Sequence, residues 1–131
     1  MKALLLTFII NLSIGLGFSA TASVDKNRCT IDDIISFKIE FENADSFSNI
    51  DISSLIKDFT VISGPSQQTS MQWINGKVTN SKIMSWSLSP KREGRLVIPR
   101  LNVQISGKKS ATKEIVVFVS RSQKKETDLD V

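Results

Sequence analysis

From Ile35 to Glu42 the chain reads ISFKIEFE, with Ile35, Phe37, Ile39 and Phe41 on one face and Ser36, Lys38, Glu40 and Glu42 on the other. A period of two in β-branched and aromatic residues marks a strand with one side in a core and the other in water. DFTVISGP, from Asp58 to Pro65, predicts a second short strand ended by Gly64 and Pro65. QQTSMQWI and KVTNSKIMSWSLS then flank Asn75-Gly76. Both residues of a type I′ turn need positive φ, which Asn-Gly tolerates, so these two segments predict a long hairpin. SPKREG reads as the next turn, followed by strands in RLVIP, LNVQIS and KEIVVFV with a turn at Gly107. Beyond the opening residues helical periodicity is confined to a single turn in DISSLIKD. About seven short strands with turn signals between them, in roughly one hundred residues, predict an all-β fold. The favoured form is an antiparallel immunoglobulin-like β-sandwich with a long Asn-Gly hairpin, and a barrel is the alternative.

With Asn75 and Gly76 as the loop, Ile74 faces Lys77 and Trp73 faces Val78, which sets Met71, Trp73, Val78, Asn80, Lys82, Met84 and Trp86 on one side. Met84, Trp86 and Leu88 form an unbroken apolar set and belong to the core, together with Phe37, Ile39 and Phe41. Met71 and Trp73 share their side with Asn80 and Lys82, which leaves two readings of Trp73: packing against Val78 and the domain edge, or an exposed aromatic that meets a partner. On the second reading Gln72, Trp73, Asn75 and Lys77 form a partner-binding surface at the hairpin tip.

The opening MKALLLTFIINLSIGLGFSATASVD changes the picture at the amino terminus. Lys2, an apolar run interrupted by Thr7, Asn11 and Ser13, and a small-residue end have the pattern of a secretory signal peptide. The run is short of the about 20 apolar residues of a membrane span. Cleavage after Ser19 leaves ATASVD as an opening strand, so the chain divides into a signal peptide over 1–19, a β-sandwich domain over 20–120 and a polar tail over 121–131. The expected product is exported and periplasmic, with no membrane span of its own. A hydrophobic fraction of 40% in 131 residues supplies one core. A single cysteine, Cys29, excludes an intramolecular disulfide, so packing must stabilise that core unaided. Cys29 suits a small buried position before the alternating strand, and a disulfide to another chain is the alternative. The formal net charge is +4 before Lys2 leaves, and the basic residues are scattered among turns. Nucleic acid is therefore not an expected partner.

Histidine and tyrosine are both absent from the sequence. That removes Ser-His-Asp and Cys-His nucleophilic systems and histidine-bearing zinc sites. Asp32 and Asp33 read as a turn into a strand, and Glu40 and Glu42 as the solvated face of one. SGPSQQ has neither the lysine nor the glycines of a phosphate-binding loop. Asp45 and Asp51 in NADSFSNID fit no calcium-loop spacing. No catalytic residue, cofactor or metal site is expected.

TASVDKNR, VISGPSQQTSMQWINGKV and LSPKREGRLVIPRLNVQISGK, in that order, resemble the amino-terminal domain of the BatD family of oxygen-tolerance (aerotolerance) proteins. The resemblance spans about Ala20 to Val119. It implies an exported, non-enzymatic protein of several immunoglobulin-like domains, anchored in the cytoplasmic membrane by a later span. It also implies partners in the envelope, among them membrane proteins with von Willebrand factor A-type domains encoded in the same operon. This chain departs from the family in carrying one such domain followed by SRSQKKETDLDV, and in having Cys29 and Asp32-Asp33 where an aliphatic residue and a Gly-Glu-like turn are usual. The expected function is that of an interaction module in a membrane-associated assembly, held there by partners or by a carboxyl-terminal region. A secreted carbohydrate-binding or adhesin-like sandwich using Trp73 is the alternative.

Overall fold

The computed structural model describes residues 19–42, 50–105 and 107–122. The leader up to residue 18, Asp45 and the tail from residue 123 lie outside them. Among the described residues nine strands follow in order: β1 (Ser19–Val24), β2 (Arg28–Thr30), β3 (Ile35–Glu42), β4 (Phe59–Ile74), β5 (Lys77–Pro90), β6 (Gly94–Ile98), β7 (Asn102–Ile105), β8 (Lys108–Ala111) and β9 (Ile115–Ser120). A 3₁₀ turn at Ser53–Lys57 occupies the place of the helical turn expected in DISSLIKD. The strands make a four-stranded sheet in the order β1-β3-β5-β4, a three-stranded sheet β2-β9-β6 and the hairpin β7-β8. All pairings are antiparallel except that of β2 with β9. The architecture is an all-β sandwich.

Alternation in the sequence sets the layers. Ile35, Phe37, Ile39 and Phe41 of β3 are fully buried, and their partners on β5, Leu88, Trp86 and Met84, lie beside them. Phe37 and Trp86 stack with ring centroids 5.6 Å apart. Across the core stand Leu96 and Ile98 of β6, Val103 and Ile105 of β7, and Val117 and Val119 of β9, so that all three sheets share one cluster. Cys29 lies in the same cluster, and desolvation pushes its thiol pKa up, with Asp33 adding to the shift. The thiol is therefore the favoured form and the residue acts as packing. Thr112, also buried, accepts a hydrogen bond from the Leu101 amide through Oγ1 at 3.0 Å, and its own amide donates to the Leu101 carbonyl. This reciprocal tie closes the β7–β8 hairpin against the core.

Three local expectations change. The strand beginning at Phe59 does not end at Gly64 and Pro65 but runs on to Ile74. The pairing with β5 slips by one residue between Val61 and Ser63 and again between Ser63 and Ser66. Those bulges absorb the two residues that looked like a terminator, and β4 is an edge strand, where proline's missing amide leaves no ladder bond unmade. Gly64 adopts φ +116, and a Cβ there would sit 2.8 Å from both the Ser85 carbonyl oxygen and the Trp86 ring, so glycine is required on conformational and steric grounds. The other two changes are β2 and β8, of three and four residues, too short for alternation to reveal. Asp32 and Asp33 do form the turn into β3, where Asp33 Oδ2 accepts the Thr30 amide at 2.7 Å.

Candidate interaction surface

Beyond Ser81, where β3 ends its pairing at Glu42, β4 and β5 continue as a two-stranded arm with no third strand among the described residues. Asn75 (φ 54) and Gly76 (φ 77) form its tip with both residues in the left-handed region, as a type I′ turn requires. Ile74 pairs with Lys77, Trp73 with Val78, Gln72 with Thr79 and Met71 with Asn80, the register expected from the sequence. Every residue from Met71 to Asn80 is exposed. Trp73 is 77% exposed, Met71 65%, Ile74 56% and Val78 46%.

The pleat divides these side chains. Cross-strand partners share a face, so Trp73, Val78, Met71 and Asn80 continue the row that in the sandwich holds Met84 and Trp86. Gln72, Thr79, Ile74 and Lys77 stand on the opposite face, in line with the serines on the outside of the sheet. The four residues singled out from the sequence, Gln72, Trp73, Asn75 and Lys77, are thus all exposed at the tip, but Trp73 does not share a face with Gln72 and Lys77. Trp73 has Met71 and Val78 as neighbours instead. Packing of Trp73 on the domain edge, one of the two readings open from sequence, does not occur. Met71 shares the exposure that polar Asn80 and Lys82 signalled for its side, whereas Ile74 and Val78 were not singled out from the sequence as exposed groups.

A concave region, separate from the arm, lies against the β2-β9-β6 sheet. It is an open groove of about 620 Å³ between Arg28, Asp33, Arg95 and Phe118. Arg28 sits over the Phe118 ring at 5.0 Å from its centroid, a cation–π contact, and Phe118 is 41% exposed. Among the described residues no group of three metal-ligating side chains occurs, and no helix is long and apolar enough to cross a membrane.

A family model described as the BatD DUF11 like domain matches residues 22–119. Among curated proteins and among solved structures the chain finds no match. The matched region runs from β1 to the penultimate residue of β9 and so takes in both layers of the sandwich and the whole arm. The chain belongs to the BatD family.

Proposed function

We propose that this domain is a non-enzymatic, exported interaction module that works in a membrane-associated assembly and contacts its partner through the hairpin arm. The observation that carries the reading is the exposure of Trp73 beside Met71 and Val78, on an arm that adds nothing to the core. Aromatic and methionine side chains on one exposed face are the groups that dominate protein–protein contacts. The resemblance of the family suggests the partner class, an envelope protein bearing a von Willebrand factor A-type domain.

The test is a pull-down of such a protein, purified, by the chain and by Trp73→Ala, alongside the melting temperature of each. As a hot spot of about 2 kcal/mol, Trp73 should lower affinity about thirty-fold when truncated, with a melting temperature within a few degrees of the parent. A large drop in melting temperature with binding unchanged would make Trp73 a structural residue and move the surface elsewhere. A saccharide-dependent quench of tryptophan fluorescence, abolished by the same substitution, would assign the arm to carbohydrate binding instead.

A further inference from the structure

The free edge of β4 differs from an ordinary sheet edge. Proteins blunt such edges with charge, proline, bulges or brevity, because unpaired amides and carbonyls recruit other strands. β4 is sixteen residues long and carries no charged residue. Its first half has Pro65 and both bulges, but from Ser66 to Ile74 the pairing with β5 is unbroken and none of these devices is present. No described strand lies on its other side.

Hairpin geometry states which backbone groups that edge presents. In a two-residue loop the flanking pair, here Ile74 and Lys77, is hydrogen-bonded, and bonded pairs then alternate along the ladder. Ile74, Gln72, Ser70, Gln68 and Ser66 therefore face β5, while the amides and carbonyls of Gln67, Thr69, Met71 and Trp73 point outward. The same alternation carried across the sheet turns Ser36 toward β1, and its carbonyl indeed accepts the Asp25 amide at 3.1 Å.

We propose that this edge pairs with the same edge of a second copy of the chain, antiparallel about a twofold axis through Ser70. The unbroken stretch is centred on Ser70, with the bulge at one end and the turn at the other. One register therefore matches every outward group: Trp73 against the partner's Gln67 and Met71 against the partner's Thr69, each repeated by symmetry. The row crossing the axis on the outer face reads Ser81, Ser70, then the partner's Ser70 and the partner's Ser81. The nearest charges in that row, Glu42 and its symmetry mate, are five strand spacings of about 4.8 Å apart, beyond the screening length of about 8 Å at physiological salt. The contact is isologous and closes on itself, so it uses up the β4 edge of each copy without growing into a fibre through that edge. It leaves the faces of the arm uncovered, and so stands independently of the partner contact at Trp73.

Sedimentation equilibrium of the purified chain should give twice the monomer mass. Thr69→Pro removes an amide that points away from β5, so it should return the protein to one chain while circular dichroism and pull-down stay as in the parent. Ser70→Cys should cross-link between copies in oxidised glutathione, since opposed residues in a non-hydrogen-bonded antiparallel pair lie about 4.5 Å apart at Cα, within disulfide reach. Gln68→Cys, which faces the partner's Gln72, should not, and the parent's buried Cys29 should not. The proposal fails if the parent is monomeric at every concentration, if the dimer survives Thr69→Pro, or if Gln68→Cys cross-links as readily as Ser70→Cys.

Discussion

Asp58 is buried, and three attachments converge on it. The Val97 amide donates to Oδ2 at 2.9 Å, Arg92 Nη1 lies 2.8 Å from Oδ1, and the Lys91 amide donates to its carbonyl at 2.9 Å. Oδ1 accepts no well-aligned hydrogen bond, so the arginine holds it through charge. The residue thereby pins the 3₁₀ turn to β6 and to the β5–β6 turn. Hydrogen bonding from Val97 pulls the carboxyl pKa down; burial opposes the shift, and Arg92 adds to it. A depressed folded-state pKa contributes stability that is complete above the unfolded value of about 3.9 and is lost as pH falls toward the folded value. Asp58→Asn should therefore cost about 1–3 kcal/mol at pH 7. Denaturant titrations of both proteins should show that gap narrowing as the pH drops below about 4. A gap that stays constant across that range would mean the charge contributes nothing.

The arm is an element of a different kind, since a lone two-stranded ribbon is only marginally stable in water. Its shape rests on the turn and on cross-strand pairs, with no third strand beyond Ser81 among the described residues. Gly76 has open space around its missing Cβ, so a side chain there meets only the conformational penalty of its φ of 77°. Gly76→Val should cost about 1–2 kcal/mol at that residue and should act on the arm alone. Hydrogen exchange should quicken from Met71 to Asn80 while the amides of β3 and β9 keep their protection. Loss of protection in β3 and β9 as well would show that the arm and the sandwich open as one unit. The hairpin was legible in the sequence because Asn-Gly fixes loop, register and facing together. The continuity of β4 was not, because the residues that accommodate a bulge, Gly64 and Pro65, are also the usual signs of a strand end.

Across the whole molecule one cluster joins the three sheets, which makes the sandwich a single cooperative unit. Trp86→Ala and Phe41→Ala should each cost about 3–5 kcal/mol through lost transfer energy and an unfilled cavity. In the Phe41 variant Trp86 fluorescence and far-UV circular dichroism should report one coincident transition. Losses below about 1 kcal/mol would place that face outside the core. The fold class was readable because β3 and the sandwich half of β5 alternate cleanly, β9 is a short apolar run of β-branched and aromatic residues, and their apolar faces need one another. The parallel β2–β9 pairing was not, since three residues show no period. The candidate surface was half legible: exposure at the tip could be anticipated from Asn80 and Lys82, and the register read from Asn-Gly already separates Trp73 from Gln72 and Lys77, although grouping the four by their closeness to the turn ignored the pleat.

The paired slips in β4 carry a numerical consequence for how this strand can vary. Before them, odd-numbered Phe59 and Val61 face the core opposite Pro90 and Leu88, and after them odd-numbered Gln67 stands opposite Met84. Between the slips the count is reversed, with Ser63 opposite outward-facing Ser87. Two insertions thus restore the parity that one would break. Because the β5 partner and not the residue number sets each face, loss of one residue between Ile62 and Pro65 would heal one bulge, and loss of two would heal both, with Phe59 still opposite Pro90 and Gln67 still opposite Met84. The strand can therefore shorten here by one residue or by two before its register against the core is disturbed.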